Sequence, residues 1–283
     1  MSNFFIETTK AALQLELERD YTRAFNAFQK SLNLTKNESS IIKIRSKQAW
    51  CLHQVGNPTE TDKIYHSIIE DSKNNPLGYL LYSKYLIKTR RWKAAKSLLQ
   101  ESSLLFPDNL EIYLTYASLM KDMERSNEAI DILKKALSQE SLTRGRGIER
   151  KDIWAELGSL FFQRGDYNSS ISVLKKSLRM DNEENFLHYD ILGICYLLVG
   201  DHENCIYYID KFILYNGEID AEILTIKARA HSRAGVYHLA TASLLQAYAL
   251  EDQLTLNAED MVDLAPLKQL GFLDTLEHLE IEE

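Results

Sequence analysis

The stretch LFFQRGDYNSSISVLKKSL, residues 160–178, decides how the chain reads. Two apolar runs flank Arg164-Gly165-Asp166-Tyr167. Trp154, Leu157 and Phe161 precede it and Ile171, Leu174 and Leu178 follow, at spacings of three and four residues that put each set on one face of a helix. A glycine in such a place reads either as a loop cradling a phosphate or as a turn between two helices. Glycine adopts the left-handed conformation that ends a helix, and Asp166 carries the short acceptor side chain that caps the next one. The rest of the chain decides for the turn, because the stretch repeats.

Gly200-Asp201-His202 lies 35 residues further on, and Gly235-Val236-Tyr237 a further 35. A first small residue recurs at Ala12, Ala49, Ser83, Ala117, Gly158, Gly193 and Ala228, in steps of 37, 34, 34, 41, 35 and 35. Twelve residues after each comes a second, mostly small, residue: Ala24, Thr61, Ala95, Ala129, Ser170, Cys205 and Ala240. Four beyond that sits a bulky one: Phe28, Tyr65, Leu99, Leu133, Leu174, Ile209 and Leu244. Each unit therefore predicts two antiparallel helices that approach closely at the small residues, with the bulky residue filling the remaining space. Gly56, Gly165, Gly200 and Gly235 are expected to end first helices, and Asn57, Asp166 and Asp201 to cap second ones. Pro58 and Pro76 follow asparagines, where a missing N–H is harmless.

At this level the residues resemble the tetratricopeptide repeat. The likeness rests on Trp154…Leu157-Gly158…Phe161…Gly165-Asp166-Tyr167…Ser170…Leu174…Ser177, and on Tyr113…Tyr116-Ala117…Ala129…Leu133…Ala136. Gly193…Tyr196…Gly200-Asp201…Cys205 and Tyr79…Tyr82-Ser83…Ala95…Leu99 are similar. Seven repeats are assigned, at 5–38, 42–75, 76–109, 110–143, 151–184, 186–219 and 221–254; Thr8 and Arg45 depart from the usual aromatic in the first two. Pentatricopeptide repeats have a similar period but read single-stranded RNA and tend to be basic. The resemblance implies an all-α fold, an α-solenoid of about seven helical hairpins in a right-handed superhelix with a C-terminal capping helix.

Charge divides the chain. Residues 1–150 hold 23 Lys and Arg against 18 Asp and Glu, whereas residues 151–283 hold 10 against 23. The organisation expected is thus a weakly basic set of repeats at 1–143, a connection at 144–150, an acidic set at 151–254 and acidic capping helices at 255–283. The connection lies in SLTRGRGIERKD (141–152), where Gly145 and Gly147 suggest a surface loop or a hinge. The last segment carries Leu267, Leu270, Leu273, Leu276 and Leu279 among acids. It reads as a cap over the apolar flank of the last repeat, or as an acidic tail that docks into a groove.

Reactive chemistry finds little support. The seven histidines show no metal-binding spacing, and no Cys-x-x-Cys, Gly-x-Ser-x-Gly or phosphate-loop motif is present. His231 stands at an aromatic packing position and Cys205 at a small one, so both read as core residues. Cys51, Cys195 and Cys205 lack close pairing, which suggests reduced thiols; the start MSNFFIETTK lacks the marks of a secretory signal. A cytoplasmic, non-enzymatic protein with no cofactor is expected, with no membrane insertion and, from its acidic total, no nucleic-acid partner.

In the family, first helices line a concave groove through positions six, three and two before the first small residue and one, four and five after it. Here these include Lys43, Lys47, Trp50, His53, Lys84, Lys88 and Lys121 in repeats two to four. Repeats five and six supply Asp152, Glu156, Phe162, Asp190, Ile194, Leu197 and Leu198, and the seventh Arg229 and Arg233. No asparagine stands one after or two before any first small residue, so the carboxylate clamp of the family's co-chaperone members is missing. The expected function is a protein–protein interaction scaffold or adaptor that takes an acidic or amphipathic segment of another protein in its groove. The alternative is a regulator that senses a peptide or nucleic acid by changing superhelical pitch.

Overall fold

The computed structural model describes residues 3–138, 149–180, 187–216, 219–251 and 254–271. The described residues form fifteen α-helices and divide into two compact units, one up to residue 148 and one from residue 149. The first unit holds α1 (Asn3–Leu17), α2 (Tyr21–Leu32), α3 (Glu38–Gln54), α4 (Pro58–Asp71), α5 (Pro76–Lys88), α6 (Trp92–Leu105), α7 (Leu110–Asp122) and α8 (Ser126–Ser138). The second holds α9 (Arg150–Gln163), α10 (Tyr167–Met180), α11 (Tyr189–Leu198), α12 (His202–Asn216), α13 (Ala221–Arg233), α14 (Tyr237–Leu250) and α15 (Ala258–Gln269). Each successive pair up to α13 and α14 is a hairpin, and within a unit each second helix packs on the first helix of the next hairpin. This is an all-α repeat solenoid.

The hairpins close where the sequence predicts. All six alanines of the first and second small sets in the first unit are fully buried, as are Thr61 and Ser83. Ala228, Ser170, Cys205 and Ala240 are fully buried in the second. The bulky residues are buried too, from Phe28 to Leu244. Two hairpins add a polar latch at the crossing. Ser170 Oγ donates to the Gly158 carbonyl at 2.8 Å, and Thr61 Oγ1 to the Ala49 carbonyl at 3.2 Å. At Gly158 a Cβ would lie 2.4 Å from Leu174 Cγ and Cδ2, and at Gly193 one would lie 2.5 Å from Ile209 Cδ1. The bulky residue of each second helix thus fills the space above a bare backbone.

The turns follow one geometry. Seven residues beyond each first small position the backbone turns left-handed, with φ of 63° at Arg19, 83° at Gly56, 57° at Arg90 and 59° at Glu124. The second unit continues at Gly165, Gly200 and Gly235, with φ of 78°, 84° and 75°. In every case the next residue donates its N–H to the carbonyl five back, as Asp166 does to Phe161 at 2.9 Å. This closes the first helix and satisfies its last carbonyls. The glycines were legible; Arg19, Arg90 and Glu124 hold the same conformation against a steric cost of about 1–2 kcal/mol each. Asp20, Asn57, Asp166 and Asp201 then cap second helices through their side-chain oxygens.

Three details differ from the sequence reading. Helix α3 starts at Glu38, ahead of the assigned repeat start at 42, because Asn37 Oδ1 accepts from the Ser40 N–H at 2.9 Å. Arg45 replaces the usual aromatic by bonding Asp71 at 2.6 Å and Ser67 at 2.5 Å. In the C-terminal helix Leu264 and Leu267 are buried while Leu270 is exposed. Leu273, Leu276 and Leu279, like Gly145 and Gly147 of the connection, lie outside the described residues.

Two outcomes follow for stability. Arg90→Gly relieves the left-handed strain and raises stability by about 0.5–1 kcal/mol, whereas Gly165→Ala lowers it by about 1 kcal/mol; urea denaturation midpoints measure both. Gly158→Ala gains about 1 kcal/mol of helix propensity but overpacks Leu174 by about 1–3 kcal/mol. Its net destabilisation should shrink in a Leu174→Val background, a coupling that a double-mutant cycle reads directly.

Candidate functional site

Because the small residues face the partner helix, the positions around them on each first helix are turned outward. Among the described residues each unit holds a trough on this side. In the first unit a cavity of about 410 Å³ is lined by Lys84, Ile87, Lys88, Glu111, Leu114, Thr115 and Ser118 of α5 and α7. Every one of these occupies a groove position implied by the repeat register.

The lysines there are engaged with their neighbours. Lys84 Nζ lies 2.6 Å from Glu111 Oε1, and Lys47 Nζ lies 2.9 Å from Glu16 Oε1. Lys88 Nζ sits 3.7 Å from the centroid of the Trp50 ring, a cation–π contact. Trp50 stacks on His53 at 5.4 Å, and His53 Nδ1 shares a hydrogen bond with the Tyr85 hydroxyl at 3.2 Å. Lys88, Trp50 and His53 are therefore brought together, while Lys47 faces the preceding repeat. Lys43 is exposed on α3 and Lys121 half-buried in the last turn of α7. Glu16 and Glu111 went unnamed in the sequence reading, although they occupy groove positions of their own repeats. The same register that selected the lysines would have found them.

The second trough encloses about 440 Å³. Phe162 of α9, Ile194, Leu197 and Leu198 of α11, and Thr225 and Ile226 of α13 form its floor. Its end is walled by Glu251, Leu254, Thr255, Asn257, Glu259 and Asp260. Asp190, one turn before Ile194 on α11, has a buried Oδ1 with no hydrogen-bond partner, and burial pushes its carboxyl above the usual range.

Arg229 and Arg233 take a different role from the one expected. Against the hairpin before it, α15 packs chiefly on the first helix, α13, whereas α3, α7, α11 and α13 pack chiefly on the second helix of the hairpin before them. It thereby covers the groove side of α13. Arg229 is 7% exposed; its Nε donates to Asp263 Oδ2 at 2.7 Å and its Nη1 to Asp260 Oδ1 at 2.8 Å, with Glu259 3.4 Å from Nη2. Arg233 Nε donates to the other Asp263 oxygen at 2.5 Å, and Ser232 Oγ to the Asp263 carbonyl at 2.6 Å. Burial alone would depress the Arg229 guanidinium, but Asp263 and Asp260 hold it above its ordinary value. Both arginines are thus held by the chain's own C-terminal helix.

Groups that could react are withdrawn. Burial pushes the thiols of Cys51 and Cys195 up to about 11 and that of Cys205 to about 12, leaving little thiolate at neutral pH. His231 is buried as the sequence suggested, and desolvation lowers its pKa, with Lys227 adding to the effect. Among the described residues no group of three or more His, Cys, Asp or Glu is placed to hold a metal ion. None of their helices is long and apolar enough to cross a membrane.

Helical hairpins in register, closed by small residues and presenting open troughs, define a helical repeat protein. The family model for the tetratricopeptide repeat matches residues 152–184, the fifth hairpin. The chain is similar in fold to the C-terminal part of a TPR repeat-containing protein from Cytophaga hutchinsonii, with a TM-score of 0.58 at 18% identity, covering 90% of this chain and 99% of that one. It is also similar to YrrB, described as a TPR protein with an unusual peptide-binding site, with a TM-score of 0.57 at 16% identity over 72% of this chain and 97% of that one. PilW, described as a type IV pilus biogenesis factor, gives a TM-score of 0.54 at 17% identity over 74% and 93%. At these identities the likeness is one of fold. No curated protein matches the chain. One hairpin thus matches the tetratricopeptide repeat family model, and the fold of the chain is that of tetratricopeptide repeat proteins.

The α15 contact makes a direct prediction. Asp263→Ala strands two arginine donors, so the docked helix should lose up to about 3–5 kcal/mol of local stability. Amide exchange measured along the chain should then speed up in α15 while α5 and α7 keep their protection.

Proposed function

We propose that the protein is a non-catalytic scaffold that holds a segment of a partner protein in the trough of its first unit, and that this segment is acidic or amphipathic. The observation that carries the reading is the lining of that trough by Lys84 and Lys88 at groove positions, beside Ile87 and Leu114. Their present partners are exchangeable. Lys84 and Glu111 are 50% and 40% exposed, and an ion pair of that kind contributes only about 0–1 kcal/mol. A partner carboxylate can replace Glu111 at little cost, and Trp50 beneath Lys88 offers an aromatic face of the kind that dominates interfaces. The thiols that are buried and pushed out of their reactive range support the non-catalytic reading, and the three unpaired cysteines suit a reducing, cytoplasmic setting.

The test is affinity capture from cell extract with the purified full chain, followed by binding measurements on what is retained. Lys84→Glu combined with Lys88→Glu should weaken the partner about tenfold or more without changing the far-ultraviolet circular dichroism. Lys63→Glu, on the exposed side of α4, should leave binding unchanged. Equal affinity in all three chains would refute the assignment to this trough.

A further inference from the structure

We infer that the trough of the second unit is a separate site for a basic amphipathic peptide segment, with an apolar side chain entering its floor and Lys or Arg neighbours meeting its acidic rim. The inference rests on the reading that the troughs take partner segments, and assigns this one the opposite charge preference to the first.

The floor is apolar. Phe162, Ile194 and Leu198 are only partly covered and line the cavity together with the buried Leu197 and Ile226, from three first helices. An aliphatic or aromatic side chain entering this cavity of about 440 Å³ removes apolar area from water on both partners.

The rim is negative. Glu222 and Glu251 line the cavity, are exposed, and form no ion pair among the described residues. The one cation in the lining, Arg229, offers no free charge, because Glu259, Asp260 and Asp263 surround it. Arg229 and Arg233 together face three carboxylates, so even this cluster carries a net negative charge. Outside the lining, Asp190, one turn before Ile194 on α11, keeps a buried carboxylate oxygen without a donor. An acidic segment would meet repulsion here, and a purely apolar one would leave the carboxylates without partners.

The trough is also short. It spans α9, α11 and α13 and ends at the wall formed by Leu254, Thr255 and Asn257. Two interhelical spacings of about 8–10 Å give about 20 Å, the reach of about six extended residues. The ligand is thus a short linear segment.

The experiment selects a random nonapeptide display library against the full chain at moderate salt, then measures the enriched peptides, labelled, by fluorescence anisotropy. The expected result is enrichment of peptides that pair one large apolar residue with Lys or Arg. Their affinity should fall at least tenfold with Glu222→Lys combined with Glu251→Lys, and severalfold with Phe162→Ala, while Lys84→Glu with Lys88→Glu leaves it unchanged. Far-ultraviolet circular dichroism confirms that each variant is folded. Basic peptides that bind the Phe162→Ala and charge-reversed chains as tightly as the original would show attraction to the acidic surface at large, and overturn the inference. Enrichment of acidic peptides alone, sensitive to Lys84 and Lys88, would overturn it and leave the proposed function standing. Enrichment of nothing would count against both.

Discussion

The close approach of two helices at a pair of small residues is the constraint on which the structure depends. At Gly158 and Ser170 the backbones come near enough for a serine hydroxyl to reach a glycine carbonyl, and Leu174 fills what is left. Truncating a buried leucine of this kind costs about 2–5 kcal/mol, so the bulky position anchors the hairpin as firmly as the small positions shape it. The same contact fixes the rotation of each first helix. With the small residue turned inward, the residues one, four and five further on face outward, and the troughs are a consequence of that rotation.

Charge then distinguishes one trough from the other. In the first unit lysines and glutamates alternate across neighbouring repeats, so the face is basic but internally balanced. In the second the carboxylates outnumber the cations, and the two arginines that could offset them are committed to α15. The C-terminal helix behaves less like one more hairpin arm than like an occupant of the last repeat's groove. Its acidic face meets Arg229 and Arg233, which stand at the groove positions of the repeat register.

Much of this was legible from residue types alone. The register of Ala, Gly, Ser and Thr with a bulky residue sixteen further on gives the hairpins, because close packing leaves a mark in side-chain volume. Turns marked by Gly56, Gly165, Gly200 and Gly235 are equally plain. The turns at Arg19, Arg90 and Glu124 are not, since nothing in those side chains signals a left-handed backbone; only their place in the repeat does. The docking of α15 was hidden for a different reason. Asp260 and Asp263 share one helix face, as solvated acids commonly do, and their burial depends on α15 lying across α13 instead of extending the stack. That choice is made by tertiary geometry, beyond the reach of local pattern. Of the lysine row, Lys84 and Lys88 line the first trough, and the pairing of Lys47 and Lys84 with Glu16 and Glu111 emerges only when neighbouring repeats are set side by side.

The spacing of the closing contacts has a consequence for how the chain reaches its structure. The residues that lock each hairpin lie only twelve and sixteen positions apart, so little chain entropy is surrendered in bringing them together. Contacts of such short sequence separation belong to rapidly forming topologies. Each arm pair can zip up beside its nascent neighbour as it leaves the ribosome, without waiting for distant segments, and an error in one pair stays confined to the pairs next to it.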